Sequence, residues 1–364
     1  MKIRSAPDLY ILLATFGLLG FGVMMVYSAS AVIAFHEFGN SFYYLQRQLV
    51  FAGLGLIGCY VTMNVDYRIW NKVATISLLC CFALLILVLI PGVGVVRGGA
   101  RSWLGVGSLG IQPSEFMKLG MVIFLAHRLS IQPDQLAHFF KGLLPSLGIL
   151  GIAFALIMMQ PDLGTGAVLL GASLIVIFVA GAKLTHLFGL AFIGLLGLIA
   201  LIATAPYRLQ RITAFMDPWS DPLGAGYQAI QSLYAIGPGG LIGLGYGASR
   251  QKHSYLPEPQ TDFIFSIVAE ELGFIGGMTI LMLFTLLVWR GMRVAMTAPD
   301  AFGSLLAAGI MGIITVQVFI NIGVVIGLLP VTGITLPLIS AGGSSLTLLL
   351  TSIGILLNIS RHNI

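Results

Sequence analysis

Apolar residues run almost unbroken from Leu9 to Val26, and blocks of the same kind recur nearly to the C-terminus. A stretch of roughly 17–25 mainly apolar residues is long enough to cross a bilayer as a helix. Ten such stretches are predicted, at about 9–31, 47–63, 73–91, 113–129, 143–159, 164–181, 184–205, 262–289, 304–328 and 334–359. The fourth is the weakest, because it carries Glu115 and Lys118 and ends at His127-Arg128. The first begins after Lys2 and Arg4, and "SASA" from Ser28 to Ala31 resembles a cleavage site. Its apolar run exceeds the roughly 7–15 residues of a signal-peptide core, so it reads as an uncleaved helix.

This pattern predicts an all-α polytopic membrane protein: one domain over 1–364, a bundle of ten transmembrane helices, and two larger extracytoplasmic loops at about 92–112 and 206–261. Composition agrees. The 364 residues are 58% hydrophobic and 9% charged, against about 25% charged in soluble domains. The net charge of +5 does not point to nucleic acid, because the cations are scattered between apolar runs with no basic cluster or aromatic platform. Their distribution follows membrane topology instead. With the N-terminus in the cytoplasm, the short inner connections hold most lysines and arginines, and Arg47 is the one cation in a short outer connection. Both termini are then cytoplasmic. Cys59, Cys80 and Cys81 lie within apolar runs and read as small hydrophobic filler, not as disulfide or metal ligands.

Function is expected on the two long outer loops. "YAIGPGGLIGLGYGAS" is rich in glycine yet keeps Leu, Ile and Tyr, which predicts re-entrant or interfacial turns pressed against the bundle. The second loop ends in "SYLPEPQTDFIFSIVAEELGFIGG", which places Glu258, Asp262, Glu270 and Glu271 where the chain enters an apolar run. If the helix starts at Thr261, Asp262 and Ser266 share a face near the outer interface. Glu270 then lies roughly 12 Å deeper, where an ionisable group needs a wet cavity or a partner. Asp262 reads equally well as a helix cap. Glu115 and Lys118, three residues apart, form either a structural ion pair or part of an anion site. Arg97, Arg101, Arg208 and Arg211 stand outside against the charge bias; they greet either lipid phosphates or one specific phosphate group. Asp162 in "QPDLGTG" reads as a helix cap. Gln317 and Asn321 read as interhelical glue. "PVTGITLPLISAGGSS" must bend or break its helix. The six histidines show no ligand spacing, and the chain has no metalloprotease, nucleotide-loop or nucleophile-elbow motif.

Five segments in order, "QPSEFMKL", "QPDLGTG", "PYRLQRITAFMDPWSDPLGAGYQAIQSLYAIGPGGLIGLGYG", "LPEPQTDFIFSIVAEELG" and "PVTGITLPLISAGGSS", resemble the SEDS family (shape, elongation, division and sporulation). "MNVDY", "GAGYQ" and "SRQK" resemble its FtsW/SpoVE branch. The family carries a tyrosine in "ISYGGSS" where this chain has Ala341. The resemblance implies a peptidoglycan glycosyltransferase that polymerises lipid II on the outer face of the cytoplasmic membrane, for cell division or spore cortex. It implies lipid II, the growing glycan chain and membrane lipids as contacts. A class B penicillin-binding protein (the transpeptidase) and other divisome or sporulation membrane proteins are the implied partners. It places the family's essential acid on Asp262, and the Glu and Lys of its first motif on Glu115 and Lys118. In that frame Asp262 is the expected base. Arg101, Lys118, Arg208 and Arg211 are expected around the diphosphate, and Glu258 is expected to orient sugar or assist a divalent cation such as Mg. A lipid II flippase with a polar path along Glu270, Gln317 and Asn321, or a scaffold for a partner transpeptidase, are the alternatives. Glu271 has no role in any of these readings.

Overall fold

A computed structural model describes residues 6–97, 100–105, 110–131, 139–203, 206–253 and 255–362. The ten predicted apolar stretches correspond to α1 (Leu9–Phe38), α2 (Tyr43–Asn64), α3 (Arg68–Leu89), α4 (Pro113–Ile131), α5 (Leu144–Met158), α6 (Leu163–Val179), α7 (Leu184–Ala203), α10 (Ile264–Thr297), α11 (Ala301–Val325) and α12 (Ser344–Ser360). The long second loop folds into α8 (Pro206–Met216) and α9 (Tyr227–Gly239). Among the described residues, α1, α3, α10 and α11 are long and apolar enough to cross a membrane by themselves. Exposed Leu13 and Phe16 on α1, Ile76 and Leu79 on α3, and Phe188 and Phe192 on α7 give the bundle the apolar exterior that a bilayer requires.

Three expectations are corrected. The fold is not purely α: between α3 and α4, β1 (Gly94–Arg97) and β2 (Ala100–Leu104) pair antiparallel, with Val95 opposite Trp103. The last helix does not begin near 334. The chain from 328 to 343 is non-helical and α12 starts at Ser344, because Pro330 and Pro337 cannot supply helix donors. The eighth helix begins at Ile264 and not at Thr261, which leaves Asp262 in the preceding turn.

α4, α11 and α12 are buried on most of their faces and form the centre. α2 lies along α12, joined by Thr62 Oγ1 to Thr351 O at 2.9 Å, Thr347 Oγ1 to Phe51 O at 3.0 Å and Asn358 Nδ2 to Met63 O at 2.8 Å. The Asp8 N–H donates to Ser360 Oγ at 3.2 Å, so both ends of the chain share one end of the bundle. The Arg290–Asp8 and Arg68–Asp300 ion pairs lie at that end too.

α10 is interrupted at Gly273, whose φ of 65° and ψ of −161° are open to glycine and costly for residues with a Cβ. The broken ladder is repaired by the 240–245 turn. Phe274 N donates to Gly240 O at 2.9 Å and Ile275 N to Leu241 O at 3.1 Å. Leu244 N and Gly245 N donate to the carbonyls of Glu270 and Glu271 at 2.9 and 3.0 Å. A non-helical segment at membrane depth is tolerable where its backbone groups are satisfied in this way. Tyr246 Oη reaches Met24 O, midway along α1, at 2.9 Å. The glycine-rich stretch thus folds back against α1 and α10.

Candidate active site

Five segments converge at the bundle end opposite the termini. They are the 256–263 turn, the starts of α4, α6 and α12, and the 328–343 segment. Asn321 on α11 ties two of them together by donating to Asp262 O at 2.8 Å and Ile334 O at 2.7 Å. Ser340 Oγ donates to Thr261 O at 2.6 Å, and Ala341 N donates to Gln260 O at 2.9 Å. Gln112, just before α4, donates through Nε2 to Asp162 Oδ2 at 3.0 Å and through its backbone N–H to Ser344 Oγ at 3.3 Å. The proline-glycine segments that break the helices are therefore cross-linked to one another through polar side chains.

Asp262 does not cap α10: the capping position is Phe263 and carries no side-chain cap bond. Its half-buried carboxylate accepts no hydrogen bond from the described residues, although its backbone carbonyl does. Burial pushes the carboxyl up from the usual aspartate range to about 7. The negative charge of Glu258 adds to the rise, Arg211 opposes it, and Asp162 adds a smaller push upward. Glu258 is exposed, with its backbone in the left-handed region at φ 51°. Thr261 Oγ1 holds both its carboxylate and its carbonyl, each at 3.1 Å.

Glu115 and Lys118 form a buried ion pair at 2.7 Å, and Ser345 Oγ donates to the other Glu115 oxygen at 2.7 Å. Beneath them, Gln317 and Ser352 help to line a cavity of about 20 Å³, room for roughly one water. Asp162 caps α6 by accepting from Thr165 N at 3.0 Å. Burial raises its carboxyl above the usual range. The bonds to Thr165 oppose the rise, Glu115 adds to it and Lys118 offsets it. Arg211, on α8, donates to Val331 O at 3.1 Å and so docks that exposed helix on the 328–343 segment. Arg208 lies on the same helix, and its side chain falls outside the described residues. Arg101 sits on β2, opposite Val96, and no hydrogen bond or ion pair among the described residues joins it to Asp262. The structure thus gathers Asp262, Glu258, Arg211, Asp162, Glu115 and Lys118, and leaves Arg101 apart on the hairpin.

The deeper carboxylates are otherwise engaged. Glu270 accepts from the Ser249 hydroxyl and, at 2.8 Å, from Arg250 N. Glu271 accepts from Ser28 Oγ at 2.7 Å, Gly247 N at 3.0 Å and Ser249 N at 3.2 Å, and pairs with Lys252 Nζ at 3.0 Å. Both are buried and clamp the glycine-rich turn. Glu270 is engaged by the Ser249 hydroxyl and the Arg250 N–H, and Asn321 Nδ2 by two backbone carbonyls. Asp162 and Ser345 are the site residues that motif reading undervalued. The proline before Asp162 and the serine pair at the start of α12 were the available signals.

The family model described as "Cell cycle protein", covering FtsW, RodA and SpoVE, matches residues 9–364. The chain belongs to this family. It is 57% identical over 360 residues to stage V sporulation protein E of Bacillus subtilis (strain 168), covering 99% of this chain and 98% of that one. It is 44% identical over 362 residues to the probable peptidoglycan glycosyltransferase FtsW of Geobacter sp. (strain M18), covering 100% and 99%. Among solved structures, the fold is similar to a chain in the work described as "Structural coordination of polymerization and crosslinking by a peptidoglycan synthase complex". There the TM-score is 0.80 at 34% identity, over 98% of both chains. The rod shape determining protein RodA of Thermus thermophilus gives a TM-score of 0.73 at 32% identity, again over 98% of both. The chain is accordingly an integral protein of the cytoplasmic membrane.

Proposed function

We propose that this glycosyltransferase polymerises lipid II at the bundle end that carries Asp262, and that this end faces the outside of the cytoplasmic membrane. The observation that carries the reading is the Asp262 carboxylate. It is held by a cross-linked backbone, half-buried, free of hydrogen-bond donors and tuned to about 7. A sugar hydroxyl is a poor nucleophile. A base whose pKa lies near the working pH removes its proton most effectively, and this help is worth about 10²–10⁴-fold.

In the step, Asp262 takes the proton from the acceptor hydroxyl as its oxygen bonds to the anomeric carbon of the donor. The bond from that carbon to the diphosphate oxygen breaks, and the electron pair leaves with the polyprenyl diphosphate. Direct displacement inverts the anomeric centre. We assign Arg211, with Lys118 from its pair with Glu115, to stabilising the departing charge and keep Arg208 on α8 as a further donor, while Arg101, apart on the hairpin, receives no role in this step. Among the described residues no three His, Cys, Asp or Glu side chains converge as a metal site. Glu258 is assigned to tuning Asp262 and orienting sugar; a divalent cation such as Mg, which needs only one or two carboxylates beside substrate phosphates, would be held at this same carboxylate pair. A class B transpeptidase is the partner that fits a polymerising enzyme, whether for septation or for spore cortex.

The test is polymerisation of lipid II in detergent by wild type and by Asp262→Asn, each with its transpeptidase. Wild type should make polymer, and the variant should be slower by at least about 100-fold. Equal rates would remove Asp262 as the base.

A further inference from the structure

A polymerase must hold two lipid-linked saccharides at once, and the cations around Asp262 serve one diphosphate. A second cavity lies on the glycine-rich turn, away from the cross-linked segments: a groove of about 580 Å³ lined by the chain at 247–249 and by Arg250, Gln251, His253 and Tyr255. We propose that this groove seats the second phosphate-bearing polyprenyl saccharide, with Arg250 holding its phosphate. The inference rests on the polymerase reading.

Four observations support it. First, Arg250 is exposed and has no ion-pair partner among the described residues, whereas Lys252 two residues on is buried and neutralised by Glu271. Glu270 accepts from the Arg250 backbone N–H and is not among the residues that line the groove. Arg250 therefore presents its fork of donors to the groove, a geometry suited to phosphate. Second, Gln251 Oε1, on the groove wall, is buried without a hydrogen-bond partner; a buried acceptor left unmade is costly, and a hydroxyl-rich ligand would satisfy it. Third, the exposed ring of Tyr255 and the imidazole of His253 stand on the rim, where a flat face can meet a sugar.

The fourth observation is position. The turn leading into the groove exposes Leu241, Ile242 and Tyr246. The segment leaving it reaches Asp262 within seven residues of Tyr255. An amphipathic ligand would thus lay its hydrocarbon along the apolar turn, its phosphate on Arg250 and its sugar towards the base. Glu270 and Glu271 fix this backbone through Gly247 N, Ser249 N and Arg250 N, so the seat is preorganised.

The test counts bound polyprenyl diphosphate by native mass spectrometry, with the whole chain in nanodiscs of uncharged phosphatidylcholine. Wild type and Asp262→Asn should each bind two molecules. Arg250→Gln, which leaves the clamped backbone intact, should weaken the second binding step by about 10- to 100-fold. Arg250→Lys, a point charge without the fork, should fall between. Unchanged binding of two molecules by Arg250→Gln would overturn the proposal. So would displacement of the second molecule by phosphatidylglycerol or by inorganic pyrophosphate as readily as by polyprenyl diphosphate, since the groove would then be a general phospholipid or free-anion site. Failure of the polymerase reading shows separately, as no polymer from wild type with its transpeptidase when supplied with lipid II.

Discussion

If Asp262 is the base, its ionisation sets the pH dependence of the reaction. With its carboxyl near 7, the ionised fraction is about one tenth at pH 6 and about nine tenths at pH 8, so kcat/KM should rise roughly ninefold between them. The neighbours set the direction of two further shifts. Glu258 raises the Asp262 carboxyl and Arg211 lowers it. Glu258→Gln should move the midpoint to lower pH and Arg211→Gln to higher pH. Both neighbours are exposed, where one charge pair is worth about 0.2–1 kcal/mol. At 1.36 kcal/mol per pH unit that is a displacement of about 0.2–0.7 pH units each way. Stability should carry the same signature with the opposite benefit. Because the folded state keeps the proton to higher pH than the unfolded chain, Asp262 costs nothing below about pH 4. Its cost grows through the window up to about pH 7 and then levels off. The interval from 3.8 to about 7 corresponds to a cost of up to about 4 kcal/mol. Asp262→Asn should therefore melt higher than wild type at pH 8, by a margin that narrows as the pH is lowered to 5. Initial rates of lipid II polymerisation across pH 5.5–8.5, paired with thermal unfolding at the same pH values, read both effects. A rate flat across that range, or shifts of the same sign in Glu258→Gln and Arg211→Gln, would refute the assignment.

Four other substitutions address the scaffold. Glu271→Gln leaves the Lys252 ammonium buried without its carboxylate and should cost about 3–5 kcal/mol in thermal unfolding. Lys252→Met should cost less, because Glu271 keeps the Ser28 hydroxyl and the Gly247 and Ser249 N–H donors; the reverse order would contradict the clamp. Asn321→Leu strips two carbonyls of their donor, which costs about 1–3 kcal/mol for each buried group; it should also lower kcat more than it changes KM, because the backbone of Asp262 loses its anchor. Gly273→Ala puts a Cβ 2.3 Å from Gly243 N at a φ of 65°. It should destabilise by at least about 1–3 kcal/mol, seen as a lower melting temperature in detergent.

Ten apolar helices were legible because long runs of high hydropathy mark buried or lipid-facing helices, and among the described residues four of them are long and apolar enough to cross a bilayer by themselves. The two termini could be placed together because charge bias follows topology, and the Asp8–Ser360 contact agrees. What pattern alone could not place were the breaks. "VVRGGARSW" carries the Gly-Gly signal of a hairpin, but its apolar neighbours read as loop. The 328–343 segment was known to bend, yet hydropathy carried its helix across Pro337, because the polar groups that hold the bend, Asn321 and Ser340, come from distant segments or look like filler.

The four carboxylates around the start of α10 show why local spacing could not sort their roles. On a helix wheel Glu270 falls within about 80° of the face of Asp262 and Glu271 on the opposite side, which leaves Glu271 unexplained. In the structure both are clamps, because the 240–253 turn folds back and presents its N–H groups to either side of the helix. Glu258 is exposed and keeps Thr261 in place. Asp262 is the one of the four whose charge is neither hydrated like that of Glu258 nor bonded like those of Glu270 and Glu271, and this lack of donors lets burial lift its carboxyl to about 7. What separates the proposed base from the clamps is therefore the supply of hydrogen-bond donors among the described residues, set by a glycine-rich turn that packs where Gly273 breaks the helix that receives it.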